Sequence, residues 1–305
     1  MGILSKVRTL FRVWDTERFL NNIKFLIKND IQVTLKDEIL EDCLFQLDEL
    51  RELVMPHVPE ILDMHHSLSR LEEQPKSFAR FGDGEVAIMQ GRDIRFQKYD
   101  PALSEKMYRV LQDKRDDMYV GINGLYFHSV RLQNITEEGV AFHYKMDTQL
   151  RRFFMEHANP ETTYLDATCL CGFFRFADND AYADFVRRKK KLFEGRKIAL
   201  VTGKSVLAKL DYDIFEHAAS KVIIDAPSKH AFGAYDSILR DISSNVSKDT
   251  LICLILGPTA TAMAADLTDM GYMAWDIGHI AKDYDAYMKN LDRTPRAQRE
   301  FFAPD

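Results

Sequence analysis

Asp83 and Glu85 stand one glycine apart in Ser77-Phe78-Ala79-Arg80-Phe81-Gly82-Asp83-Gly84-Glu85. Phe78 and Phe81 flank small or charged residues as a buried strand does, and Val86-Ala87-Ile88-Met89 reads as the start of a helix. Two carboxylates therefore occupy a strand-to-helix turn, where ligands of open α/β sheets bind. Carboxylate oxygens suit hard divalent cations, and glycines let a phosphate approach the backbone. The competing local reading is a turn in which Asp83 caps the following helix.

Other strand ends carry further candidates. Leu256-Gly257-Pro258-Thr259-Ala260-Thr261 joins an apolar strand to a helix beginning near Thr259. Its backbone N–H groups and two hydroxyls could make an anion site, or Thr259 could simply cap the helix. In Asp276-Ile277-Gly278-His279, Asp276 and His279 could ligate a metal or move a proton. Asp225-Ala226-Pro227-Ser228-Lys229-His230 offers Ser228, Lys229 and His230 to a nucleotide or its phosphates. Thr202-Gly203-Lys204-Ser205 ends like a P-loop, but position 198 is Ile where that motif needs glycine. A backbone contact from Gly203 or Lys204 to a phosphate or ribose remains open. No GxGxxG follows a strand, and GxSxG and HExxH do not occur.

The elements that must position these residues alternate from Ser77 onward. Strands are expected at Ser77–Phe81, Met118–Ile122, Thr163–Ala167, Lys197–Gly203, Lys221–Pro227, Thr250–Gly257 and Met273–Ile277. Helices fill the intervals, among them Pro101–Lys114, Gly139–His157 and Asp178–Phe193. The basic run Arg187–Lys191 reads as a solvated face. Continuous apolar strands between helices imply an α/β fold: a Rossmann-like, mainly parallel sheet with helices on both faces.

Before it lies a helical N-terminal extension, residues 1–74. Leu4, Val7, Phe11 and Trp14 recur at helical spacing, and residues 1–28 hold six basic side chains against two acidic ones. Such a helix packs on its own domain or a second subunit, or lies on an anionic membrane. Leu40, Leu44, Leu47, Leu50 and Val54 form a second stripe. The expected division is 1–74, a catalytic domain over 75–290, and a polar tail over 291–305.

Bulk properties narrow the classes. The 305 residues carry a net charge of −6, which argues against gripping nucleic acid through bulk positive charge. The four cysteines form no disulfide framework: Cys253 sits in an apolar run, and Cys169-Leu170-Cys171 has the wrong spacing for a zinc knuckle or redox pair. No run reaches the ~18 apolar residues needed to span a bilayer. The expected location is the cytoplasm, with peripheral contact at the inner face of the membrane as an option for the N-terminal helices.

Taken together, the segments at Ser77–Glu85, Ala226–Phe232, Leu256–Thr261 and Asp276–His279 resemble one family, the bacterial glycosyltransferases of the GT-D fold, once a domain of unknown function. They follow the family's order across about residues 75–285. The resemblance implies a nucleotide-sugar donor, with a UDP-sugar expected, and a glycan or glycoconjugate acceptor in surface polysaccharide or glycoprotein synthesis. It implies a Mn²⁺ or Mg²⁺ ion held through a DxE motif, here Asp83 and Glu85; His279 is the third choice as a metal or phosphate contact. Arg80, Gly82, Gly203, Lys204, Ser228, His230, Gly257, Thr259 and Thr261 would surround the donor. Asp225, His230 and Asp276 are unranked candidates for a general base.

The chain departs from the family pattern in three places. Val201-Thr202-Gly203-Lys204 replaces an acidic turn, Val206–Tyr212 replaces a glycine-rich stretch, and His230 stands where asparagine is usual. The rival readings are another Rossmann-like transferase, such as a methyltransferase, and a non-catalytic scaffold of a polysaccharide assembly complex.

Overall fold

Seven parallel strands form a single sheet in the order β3-β2-β1-β7-β6-β4-β5. The strands are β1 (Ser77–Phe81), β2 (Met118–Ile122), β3 (Leu165–Asp166), β4 (Lys197–Thr202), β5 (Ser220–Asp225), β6 (Leu251–Leu254) and β7 (Met273–Asp276). The structure is a computed structural model and describes residues 58–127 and 149–302. The two N-terminal helical stripes, the start of the helix expected at Gly139 and the last three residues lie outside the described residues.

The helices are α1 (Met64–Glu73), α2 (Asp83–Met89), α3 (Pro101–Gln112), α4 (Asn179–Phe193), α5 (Lys204–Leu207), α6 (Tyr235–Asn245), α7 (Pro258–Asp269), α8 (Ile280–Met288) and α9 (Pro295–Phe301). Residues 149–157 are also helical. Helix α7 packs on β1 and β7 and joins α2, α3 and α6 in one layer. Helices α1, α4 and α8 cover the other face, where Phe78, Leu200, Cys253 and Trp275 meet Leu68, Phe185, Phe193 and Tyr284. Helix α1, which the sequence assigns to the N-terminal extension, is thus built into the sheet's own core.

The apolar runs explain why these segments are strands. Phe78, Ala79 and Phe81 of β1 are buried, as are all four residues of β6. Trp275 of β7 has no exposed surface, and its indole N–H donates to Lys76 O at 2.7 Å. Burying a side chain of that size contributes about 2–3 kcal/mol. Because all the strands run the same way, their C-terminal ends share one edge of the sheet. The first and last strands lie side by side at its centre, with Phe78 opposite Trp275.

Candidate active site

Arg80 is the centre of that edge. Its Nη2 donates to Asp276 Oδ1 at 3.0 Å, and its Nη1 donates to Ala167 O at 3.0 Å and to Cys171 Sγ at 2.7 Å. The two ionic side chains are only 14% and 6% exposed. One guanidinium therefore ties β1, β7 and the segment after β3 together. Burial works against its charge, but Asp276 and Cys171 more than offset this, so its pKa lies above the ordinary arginine value. Asp276 shifts up because burial outweighs the attraction of Arg80. Gly278 is required here: it has φ +50°, and a Cβ would overlap the Arg80 guanidinium.

The acidic turn begins one residue beyond β1, and its capping differs from the local expectation. Gly82, not Asp83, is the N-cap of α2, and Glu85 Oε2 accepts from Gly82 N at 2.7 Å. Glu85 thus supplies the return half of a capping box. Asp83 is the first helical residue, exposed, and makes no hydrogen bond or ion pair among the described residues. Burial, then the charges of Asp276 and Asp83, push the Glu85 pKa up to about 7. Glu85 keeps partial contact with solvent, which moderates the shift.

The β6–α7 turn lies alongside. A Cβ on Gly84 would sit 4.0 Å from Pro258 Cγ. The N-cap of α7 is Gly257 at φ +55°, with Pro258 at the first helical position, so Thr259 is not the cap. The two hydroxyls expected to face an anion are turned inward. Thr259 Oγ1 donates to Gln97 Oε1 at 3.2 Å, and Thr261 Oγ1 donates to Arg80 O at 2.9 Å. Both threonines are fully buried. Helix register decides this, since α7 presses these positions onto β1. What remains for an anion is the backbone of the Gly257 turn.

Sequence patterns do not reveal Gln97, a lone amide in a charged loop. It is 4% exposed. Besides Thr259, its Oε1 accepts from Phe232 N at 3.3 Å, while Nε2 donates to Lys98 O at 2.9 Å. It knots the strand-end loops of β5 and β6 to the segment between α2 and α3. His230 docks on the same segment: its backbone N donates to Phe96 O at 2.6 Å, and its Nδ1 accepts from Lys98 N at 3.1 Å. The neutral ring then carries its proton on Nε2, so it offers solvent a donor rather than a base. His230 has φ +55°, a conformation that asparagine and histidine tolerate better than most residues.

The remaining candidates lie further off. Gly203 and Lys204 end β4, while Asp225 and Ser228 follow β5. Four strand steps separate β5 from β1, about 19 Å. Lys204 N donates to Asp225 Oδ1 at 3.3 Å and its Nζ pairs with Oδ2 at 3.4 Å, both side chains well exposed. Gly203 abuts Ser228, where a Cβ would come within 3.1 Å of the serine Cβ.

His279 is exposed, with its ring against Phe301 and Phe302. Partial burial of the ring and the cations Arg80 and Lys282 lower its pKa. Asp83, Glu85 and His279 do not form a three-ligand cluster: among the described residues no three His, Cys, Asp or Glu side chains could hold a metal by themselves. The donor set that could hold one is the oxygen pair Asp83 and Glu85. It suits a hard divalent cation that completes its shell with water and phosphate.

Known proteins resemble this chain in sequence and fold. The chain is 27% identical over 231 residues to a probable glycosyl transferase, Gly, of Streptococcus gordonii, covering 74% of this chain and 32% of that protein. It is 26% identical over 227 residues to the glycosyltransferase GlyD of Streptococcus pneumoniae serotype 4, covering 74% of this chain and 27% of that one. The chain thus spans about a third or less of the length of these relatives. A solved structure described as the highly conserved domain of unknown function 1792, with a distinct glycosyltransferase fold, superposes with a TM-score of 0.66 at 29% identity, covering 76% of this chain and 83% of that one. A glycosyltransferase from Streptococcus sanguinis superposes with a TM-score of 0.64 at 25% identity, covering 76% and 85%. A family model described as glycosyltransferase GT-D fold matches residues 78–303. The chain belongs to this family of glycosyltransferases with the GT-D fold.

Proposed function

We propose that this chain transfers a sugar from a nucleoside-diphosphate sugar, with a UDP-sugar the first candidate, to a hydroxyl of a glycan or glycoconjugate acceptor. The carrying observation is that the exposed Asp83 carboxylate, Glu85 and the open Gly257 turn lie together at the C-terminal edge beside the Arg80–Asp276 pair. A nucleoside diphosphate leaves readily only when its developing charge is neutralised. A bound Mn²⁺ or Mg²⁺ supplies that neutralisation. Asp83 and Glu85 would hold the ion, and the backbone of the Gly257 turn would face the phosphates.

Burial, and then the charges of Asp276 and Asp83, raise the Glu85 pKa, and a cation at this crowded turn would relieve the repulsion among the three carboxylates. Arg80 acts here as a fixed counter-charge that orients Asp276. The His230 Nε2–H is a donor suited to a phosphate or sugar oxygen. Asp276, buried and paired, is a poor base, and the accepting nitrogen of His230 is occupied. Asp225 keeps an exposed carboxylate but stands at the margin of the sheet. A cytoplasmic setting, with the N-terminal segment used for membrane contact or self-association, fits the donor chemistry. Surface polysaccharide or glycoprotein synthesis is the setting we favour.

The test is a screen of nucleotide sugars for hydrolysis or transfer, with and without Mn²⁺ and Mg²⁺. Metal-dependent turnover is expected, and Glu85→Ala should lower it by about 100-fold or more while the far-UV spectrum is unchanged. Full activity in that variant overturns the metal assignment. Stabilisation by a sulfonium cofactor without any metal would favour the methyltransferase alternative.

A further inference from the structure

The basic run of α4 contains a lysine with almost no surface. Lys189 is 1% exposed and shares the buried face of the helix with Tyr182, Phe185, Val186 and Leu192. A buried ammonium is costly unless it is paired. Lys189 Nζ donates to Tyr182 OH at 2.5 Å, and the hydroxyl donates to Asp283 Oδ2 at 3.3 Å. The same carboxylate oxygen accepts from Phe173 N at 3.1 Å. Asp283, on α8, is 3% exposed. Burial lowers the Lys189 pKa and raises that of Asp283, and each charge opposes the other's shift. Arg293 also holds Phe173, with its guanidinium 3.9 Å above the ring and its Nε donating to Phe173 O at 3.3 Å.

The segment held in this way is the one on which Arg80 rests. Two residues before Phe173, Cys171 Sγ accepts from Arg80 Nη1, and Ala167 O accepts from the same nitrogen. The segment has little slack: a Cβ on Gly172 would come within 3.1 Å of Thr168 O. Hydrogen bonds thus run from ammonium through hydroxyl and carboxylate to a backbone N–H. Two residues along the chain they resume, through thiol and guanidinium, to Asp276. Lys189, Tyr182 and Asp283 are all buried.

We propose that Lys189, Tyr182 and Asp283 are positioning residues that fix the segment from Ala167 to Phe173. Through it they set the orientation of Arg80 and Asp276, and hence the rate of transfer. The rate part rests on the transferase reading above, while the positional part stands on the structure alone.

Tyr182→Phe, which keeps the ring and removes only the hydroxyl, tests both in the full chain, with Lys189→Met as a second variant of similar volume. The expected result is an alkylation rate at Cys171, mapped by peptide mass, that rises about fivefold while Cys253 stays unlabelled. Alongside it, kcat falls about tenfold with KM for the nucleotide sugar within about twofold. The double variant should lose no more than Tyr182→Phe alone, because both cut one line. Unchanged Cys171 labelling in folded variants overturns the proposal whatever the turnover. A raised KM with kcat preserved overturns the rate part. If wild-type protein turns over no nucleotide sugar yet Cys171 labelling rises in the variants, the transferase reading falls and the positional link stands.

Discussion

The centre and the margin of the sheet's C-terminal edge are built differently. At the centre, β1 and β7 bring Arg80 and Asp276 into a pair with little exposed surface, closed over by Gly278. At the margin, β4 and β5 end in the solvent-exposed pair of Lys204 and Asp225, joined by a crossover whose only helix, α5, has four residues. Both regions show the same local signature of charged and small residues after an apolar strand. Their difference teaches that strand order, more than motif chemistry, decides which strand ends cooperate. Burial then decides which charges are strongly coupled.

Gly278→Ala should break the comparison most violently. The added methyl displaces Arg80, and breaking a buried ion pair by dislodging one partner costs about 3–5 kcal/mol. Chemical denaturation should show that loss, with turnover abolished. Unchanged stability would mean that the centre is as loose as the margin.

A pH titration gives the next effect. The Glu85 pKa is raised from an ordinary glutamate value to about 7. The folded state therefore binds this proton more tightly than the unfolded chain does. The linked stability is fully present below the unfolded value and is lost as pH rises through about 7. Glu85→Gln should raise the thermal midpoint by about 2–4 °C at pH 8 and leave it nearly unchanged at pH 4. Added Mn²⁺ should shift the wild-type pH profile toward acid. An equal response to the substitution at both pH values would show that neither burial nor its neighbours raise the Glu85 pKa.

The smallest effect belongs to the margin. Lys204→Ala and Asp225→Ala should each change stability by no more than about 0.5 kcal/mol, because an exposed ion pair contributes little. Turnover should stay within about fivefold. A loss at Asp225 as large as at Glu85 would assign the general base to the margin and extend the site across the sheet edge.

β1, β4, β6 and β7 were legible because a continuous apolar run suits a strand buried on both faces, whereas β5, at the edge of the sheet, keeps the same apolar signature with Val222 and Ile223 exposed. The acidic turn was legible because glycines isolate its carboxylates. Side-chain direction inside helices was not. Arg187–Lys191 reads as a solvated face, yet a period of 3.6 residues carries Lys189 inward while Arg188 reaches Glu72. Thr259 and Thr261 read as ligand hydroxyls, but the placement of α7 on β1 turns both toward protein acceptors. Gln97 had no signal at all, since its importance comes from three loops that meet only in the folded chain.

The adjacency of the first and last strands has a consequence for the order of events during synthesis. Phe78 pairs with Trp275, so β1 cannot take its place at the centre of the sheet until β7 has emerged. At ordinary translation rates, the roughly 200 residues between them take about 10–40 s to make. Throughout that interval Arg80 has no Asp276 to meet, and the acidic turn stands beside an open seam. The Arg80–Asp276 pair is therefore among the last parts of the site to form. A nascent chain cut short before residue 276 would carry every earlier motif and still lack the carboxylate that pairs with Arg80.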